Sequence, residues 1–337
     1  MLSFAIWVTE QCNLCCKYCY ENGITTRKHQ MTDNIEEVIK FIKIISTRYS
    51  KDLILVTFHG GEPLLNFELI VKYVNRLKIE YDKRIQFGIT TNGTILNERI
   101  AKFLVENFEE ISISIDGIKM IHDKNRVFPS GRGSYDRVIK NIHFFKHKKR
   151  IRVRMTVTAE SAKYFYDSIR DLYNKGFRYI VPAIAVNDTG WNENTFNQLY
   201  LSIKKLINDG YSDLEFLKRL LNTPIPMSSC KGGVKSFNIS SQNKIFPCEY
   251  VIGIDEFCLG TVKNPIKIFE KEDMLINQYQ KKNLSCCAEC SYEIYCEATR
   301  CKYYNYLNSG NTNLPIDNQC KVEHLKYYIW RTLGCKS

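Results

Sequence analysis

The sequence predicts an α/β chain in two parts: six βα units in series, then a cysteine-rich domain that folds around metal. Three observations carry this. Short β-branched runs alternate with amphipathic helical stretches from the first residues to about Asp209. That periodicity then gives way to sequence rich in Pro, Gly, Ser and Cys. The 14 cysteines fall in two places, four between Cys12 and Cys19 and ten from Cys230 onward, with none from Tyr20 to Ser229.

Buried strands are predicted over 3–9, 53–58, 84–90, 111–115, 151–157 and 178–183. Between them Ile35, Val38, Ile39 and Ile42 recur at helical spacing after Thr32 and Asp33, which suit a helix start. Leu69, Tyr73 and Leu77 repeat the pattern, as do Ile100, Leu104 and Phe108. Two further helices are expected over 135–146 and 162–174, the second stopped by Gly176. Six such units imply a parallel sheet with right-handed crossovers, either curved into a partial barrel or open and doubly wound. In both, ligand chemistry belongs at the carboxyl ends of the strands.

A helix is expected over 214–221, and Pro224 and Pro226 then mark a boundary: residues 1–222 form the first domain and 223–337 the second, with a C-terminal helix. In the second, 237–239 and 244–246 read as a hairpin around Ser241–Asn243, a turn without glycine. The stretch from Cys286 to Cys320 has few aliphatic residues and many tyrosines, so it is expected to need metal to fold.

Composition narrows the class. With 44% apolar and 25% charged residues, collagen-like, low-complexity and disordered readings are excluded. No apolar run approaches the ~20 residues that cross a bilayer, and Met1–Val8 lacks a basic n-region and a small-residue cleavage site. A cytoplasmic protein with no membrane partner is expected. A long stretch without thiols and the missing signal sequence argue against a disulfide scaffold and for metal ligation by thiolates. The net charge of +12 is dispersed except for Lys146–Arg152, so a solvated face is the plainer reading and nucleic acid is not expected as a partner.

The first strand runs directly into a loop in which Cys12, Cys16 and Cys19 are spaced CxxxCxxC. Three thiolates on a four-iron cluster leave one iron open to chelate a small molecule, whereas a fully ligated cluster normally passes electrons only. Zinc would more often take CxxC pairs or Cys/His sets. Cys15 lies outside the spacing and is read as a packed or spare thiol.

Over nearly its whole length the chain resembles the radical S-adenosylmethionine (radical SAM) superfamily. The resemblance rests on this loop, with Tyr18 before its last cysteine, and on His59-Gly60-Gly61-Glu62-Pro63 at the end of the second strand. It implies a partial (β/α)6 barrel holding a [4Fe-4S] cluster and S-adenosyl-L-methionine (SAM). A reduced cluster would cleave SAM to a 5'-deoxyadenosyl radical, which abstracts hydrogen from an inert C–H. In that family the segment Gly60, Gly61 and Glu62 meets the methionine ammonium; two glycines let backbone come close and Glu62 is anionic. By the same resemblance Ser114 and Arg126 hold the SAM carboxylate, Asn92 lies near the ribose, and Asp116 orients the site.

The C-terminal cysteines resemble the SPASM extension, which houses auxiliary [4Fe-4S] clusters. Carried over, Cys287, Cys290, Cys296 and Cys320 hold an outer cluster, and Cys230, Cys248 and Cys301 an inner one. Two departures bear on this: four residues separate Cys296 from Cys301 where three are usual, and Asn243 stands where a glycine is expected. Cys258 is a candidate fourth inner ligand, or that iron stays open to a substrate thiolate. Cys286 competes with Cys287 by register, and Cys335 is read as a free thiol. Glu249, directly after Cys248, matches the carboxylate that deprotonates the substrate in sulfatase-maturating relatives. Together these imply a radical SAM/SPASM enzyme that modifies a peptide or small protein, first as a maturase making a thioether or C–C cross-link in a ribosomally made peptide. The rivals are formylglycine formation from Cys or Ser by a sulfatase-maturating enzyme, and a non-enzymatic zinc module on nucleic acid. The enzyme readings require an external flavodoxin- or ferredoxin-like electron donor. Because the first strand begins at Ser3, leader recognition is expected to need another surface or a separate protein.

Overall fold

The computed structural model describes residues 1–19, 29–32, 34–145, 151–280 and 285–334, and of Ile266, Ser285 and Cys286 the backbone alone. Nine strands appear among the described residues: β1 (Leu2–Thr9), β2 (Ile54–Gly60), β3 (Ile85–Thr91), β4 (Glu110–Ser114), β5 (Ile151–Val157), β6 (Tyr179–Ile184), β7 (Ser236–Ile239), β8 (Lys244–Phe246) and β9 (Gly260–Thr261). They form one sheet in the order β6-β5-β4-β3-β2-β1-β7-β8-β9. From β1 to β6 each strand is added beside its predecessor, in parallel. With right-handed crossovers this keeps the helices on one face, the arrangement of a barrel segment; a doubly wound sheet would reverse direction at a switch point.

The helices that follow these strands are α1 (Ile35–Arg48), α2 (Phe67–Tyr81), α3 (Glu98–Asn107), α4 (Lys119–Asn125), α5 (Tyr135–Ile142), α6 (Phe165–Asn174), α7 (Glu193–Asn208) and α8 (Glu215–Leu221). Alternation on the strands decides what faces them. Phe4, Ile6 and Val8 of β1 are fully buried on the helix side, and Phe4 meets Phe41 of α1 and Phe237 of β7 with ring centres 5.9 and 5.6 Å apart. Truncating such a ring, as in Phe41→Ala, costs about 3–5 kcal/mol. The opposite face carries Ser3, Thr57, His59, Thr90, Ser114 and Thr156, a polar lining on which a ligand can be held.

Some local expectations shift. The α1 N-cap is Asn34, without a side-chain cap bond, rather than Thr32; Asp33 lies outside the described residues. Helix α5 ends at Ile142, and Lys146, like most of the basic run to Arg152, lies outside the described residues. The expected helix from 162 opens with one 3-10 turn, Ala162–Tyr164, before α6.

Past residue 222 the sheet continues. β7 pairs in parallel with β1 from Ser3↔Ser236 to Ile6↔Ile239, and β8 returns antiparallel to β7. Their turn closes without glycine because Asn243 itself adopts φ 61°, a left-handed conformation that asparagine tolerates. The remaining helices are α9 (Ile266–Gln280), α10 (Ser285–Ala288), α11 (Glu297–Arg300), α12 (Lys302–Ser309) and α13 (Asp317–Leu333). Among the described residues no helix is long and apolar enough to cross a membrane.

Candidate active site

At the carboxyl ends of β1 to β4 the cysteine loop is seated by backbone bonds. Cys15 N–H donates to Val127 O at 2.7 Å and Lys17 N–H to Asn125 O at 3.0 Å, docking the loop on the end of α4. On its other side the end of β2 lies against it: Gly61 N–H donates to Thr9 O at 3.2 Å and Glu62 N–H to Gln11 O at 2.8 Å. Only glycine allows this approach. A Cβ on Gly60, at φ 132°, would stand 1.9 Å from Thr9 O, and one on Gly61 2.4 Å from Gln11 O.

Glu62 is fully buried, and its carboxylate accepts from Leu64 N–H at 3.1 Å, Thr91 Oγ1 at 2.7 Å and Asn92 N–H at 2.7 Å. It therefore clamps β2 to β3. Burial pushes its carboxyl up to about 7 against the pull of those three donors. Asn92 extends the network, donating from Nδ2 to Asn13 Oδ1 at 2.9 Å and to Cys12 Sγ at 3.9 Å. Cys12 is pushed up to about 12 by desolvation, and the charges of Glu62, Cys16 and Cys19 add to the rise. Those three thiols thus stand near one another on one loop.

Asp116, fully buried after β4, is the second hub. It accepts from Tyr18 Oη and from Thr156 N–H at 3.0 Å, and stands 3.1 Å from Arg126 Nε. Arg126 lies over the Tyr18 ring and acts on the Cys16 thiol, offsetting part of the rise that burial imposes there. His122 Nδ1 accepts from Asp116 N–H at 3.3 Å, which leaves the proton on Nε2 for Ser134 Oγ at 2.9 Å; Ser134 Oγ in turn donates to Arg126 O at 2.8 Å. Burial holds His122 neutral, down at about 3. Ser114 is nine-tenths buried at the end of β4, two residues before Asp116.

His59, one residue before the glycines, stacks on Trp7 with centres 6.5 Å apart. Burial lowers its pKa, Glu249 raises it and Arg154 lowers it, so these three charges meet on the polar face of the sheet. Arg154 was not singled out from sequence, and His59 entered only as the first residue of the glycine segment; their two-residue alternation with Thr57 and Thr156 was the available signal.

In the C-terminal part, Cys248 is raised by burial and by Glu249, Cys230 and Cys301, and Cys301 is raised to about 11 with Cys230 contributing. Those three thiols form one group. Cys296, raised to about 11 mainly by burial, feels Cys320. Cys290 Sγ stands 3.8 Å from His324 Nε2, four residues after Cys320 on α13. The Cys258 thiol donates to Gly260 O at 3.3 Å and packs beside Trp7, Phe246 and Ile252. Cys15 is exposed rather than packed, while the Cys286 side chain and Cys335 lie outside the described residues. Among the described residues no three His, Cys, Asp or Glu side chains are gathered as closely as a single metal ion needs. The donor chemistry fits iron–sulfur clusters, for which thiolates on one loop are the ordinary ligands.

A profile described as Radical SAM superfamily matches residues 6–172. A cysteine-type anaerobic sulfatase-maturating enzyme of Clostridium novyi is 26% identical, over 90% of this chain and 85% of that protein. The solved structure of native anSMEcpe with bound AdoMet and Kp18Cys peptide superposes with TM-score 0.76 at 20% identity, covering 98% of this chain and 96% of that one. Streptococcus suis SuiB bound to precursor peptide SuiA gives TM-score 0.65 at 17% identity, covering 95% and 76%. The fold, the cysteine loop at its strand ends and the matching profile make this chain a radical SAM enzyme.

Proposed function

We propose that the chain is a peptide maturase that oxidises a Cys or Ser side chain to formylglycine, with Glu249 as the base. The observation that carries this is the place of Glu249. It follows Cys248 directly, and its charge acts on His59 at the end of β2, so one carboxylate reaches from the inner thiol group to the polar face beside the cysteine loop. The 26% identity to the cysteine-type anaerobic sulfatase-maturating enzyme of Clostridium novyi, over 90% of this chain and 85% of that protein, supports the same reading.

In this reading residues 1–222 are the radical SAM core and 223–337 the SPASM-type part. Cys12, Cys16 and Cys19 would hold the [4Fe-4S] cluster beside SAM; Cys230, Cys248 and Cys301, and Cys287, Cys290, Cys296 and Cys320, would hold auxiliary clusters. Loaded in this way, the site would supply one-electron reduction of the SAM sulfonium, hydrogen-atom abstraction from the substrate, and an acceptor for the electron left behind. The protein's own residues do the rest. Glu62, its oxygens already engaged, fixes the strand end whose Gly60 and Gly61 backbone would meet the ammonium. Arg126, its Nε 3.1 Å from Asp116, would offer N–H groups to the SAM carboxylate, with Ser114 at the end of β4. Tyr18 and Asn92 brace the cysteine loop.

Glu249 takes the proton of the substrate thiol or hydroxyl. Loss of one hydrogen atom from Cβ, that proton and one electron turns the cysteine side chain into a thioaldehyde, and water then replaces sulfur as hydrogen sulfide leaves; from serine the aldehyde forms directly. A second reading, a thioether or C–C cross-link in a ribosomal peptide, is favoured by the grouping of Cys230, Cys248 and Cys301, three thiols that would leave one iron of an inner cluster open to a substrate thiolate.

The test is anaerobic turnover with SAM and dithionite on a peptide bearing one Cys or Ser, and separately on a cysteine-rich peptide. Aldehyde in the first peptide supports the formylglycine reading, and loss of two hydrogens in the second supports cross-linking. Glu249→Gln should still make 5'-deoxyadenosine while product falls about 10²–10⁴-fold, the usual contribution of a positioned base. Unchanged product with that variant would remove Glu249 from the reaction. A flavodoxin- or ferredoxin-like donor, and any separate leader-binding protein, would be sought as the physiological partners.

A further inference from the structure

Between the carboxyl end of β1 and strand β8 lies a cavity of about 170 Å³. A cavity of about 150 Å³ takes a benzene ring, so this one has room for the end of one long side chain and not for a stretch of backbone. Its walls come from the two segments that carry the chemistry. Glu10, on one side, stands two residues before Cys12; Ile252, on another, directly follows the 3-10 turn Glu249–Val251 and donates its N–H to Glu249 O at 3.3 Å. Phe246 and Ile252 also pack with Trp7, the indole that stacks on His59. The cavity therefore adjoins the polar face of the sheet beside the glycine segment.

Two carboxylates and one lysine line it. Lys244 Nζ pairs with Asp255 at 2.7 Å. Glu10 accepts the Ser241 hydroxyl on Oε1 at 2.6 Å, while its Oε2 is buried and has no hydrogen-bond partner among the described residues. A carboxylate oxygen held out of water is costly until a donor meets it, and a cationic donor makes the stronger bond. The Ser241 bond also fixes the carboxylate in place, so little ordering is left for a ligand to impose.

We propose that this cavity receives a cationic side chain of the peptide substrate, an arginine or a lysine, whose N–H bonds to Glu10 Oε2. Anchored there, the peptide would present a residue at a fixed distance along its chain to Glu249. This rests on the reading that the chain acts on a peptide.

The test is fluorescence anisotropy on the full chain, reconstituted anaerobically and loaded with SAM, with labelled peptides that bear one Cys in a neutral background. One position at a time, on either side of that Cys, carries Arg, Lys or the neutral citrulline. In one register Arg or Lys should bind about tenfold tighter than citrulline, the yield of a hydrogen bond to a charged group. Glu10→Gln should bring both down to the citrulline affinity. Gln242→Lys, at an exposed position of the lining, should do the same with the carboxylate in place, and decides alone where Glu10→Gln fails to hold iron. A gain that survives either folded variant overturns the proposal. So does an equal gain in every register, which marks long-range attraction rather than a cavity. Peptides bound with no preference for a cation overturn this proposal alone, whereas no peptide bound in any form removes the peptide reading with it.

Discussion

Replacing Asp116 should be among the most damaging single changes to the first site, and the reason is the pair it forms. Asp116 is fully buried and Arg126 is 8% exposed, with Nε 3.1 Å from the carboxylate. Asp116→Asn leaves the guanidinium buried without its anion and weakens the bonds from Tyr18 and Thr156. Breaking such a pair from one side costs about 3–5 kcal/mol, whereas replacing both members by neutral groups of similar size is often close to neutral. Arg126→Met alone should therefore cost a similar amount, and Asp116→Asn/Arg126→Met should be more stable than either single variant. Urea unfolding under anaerobic conditions, followed by tryptophan fluorescence and far-UV circular dichroism at matched iron content, gives the three differences and their coupling. A double variant whose loss equals the sum of the two singles, within about 0.5 kcal/mol, would refute the argument that these charges support each other.

Cys16→Ala should abolish dithionite-dependent formation of 5'-deoxyadenosine, while Cys290→Ala should leave part of it and stop substrate turnover; product made in full by the second variant would deny the outer cluster a necessary role. Stability against pH should show two opposed slopes of about 1.4 kcal/mol per unit each. Glu62, raised from 4.5 to about 7, contributes stability that is complete below 4.5 and is lost as pH rises to 7; His122, lowered from 6.5 to about 3, contributes stability that is complete above 6.5 and is lost as pH falls to 3. Between 4.5 and 6.5 they offset each other, so Glu62→Gln should expose a stability that rises with pH there, and His122→Asn one that falls; parallel curves for wild type and both variants would rule this out. Gly60→Ala should lower iron bound at the first site, measured in a Cys230→Ala/Cys290→Ala background, because its Cβ would strike Thr9 O at 1.9 Å; wild-type iron there would show that the strand end can shift.

Local pattern carried much of the fold. β5 begins and ends where its apolar alternation does, and the other five core strands fall within two residues of their expected bounds, because each buries one face and so writes a period of two into the sequence. The cysteine loop was legible for a similar reason, since its ligand spacing is set by one tight turn after β1. Helix α1 was legible as an apolar stripe but not at its cap, where no side-chain bond fixes the start.

The amino-acid sequence by itself determined the βα alternation, the thiol loop and the cysteine-rich tail, all consequences of contacts within a few residues. Tertiary structure alone decided that β7 completes the sheet against β1, more than 230 positions away, and that strand order makes a barrel segment. It decided that the Glu62 carboxylate clamps two strands and that Asp116 stands against Arg126. Burial and Coulomb energy depend on which distant groups exclude water from a site, and no local periodicity records that.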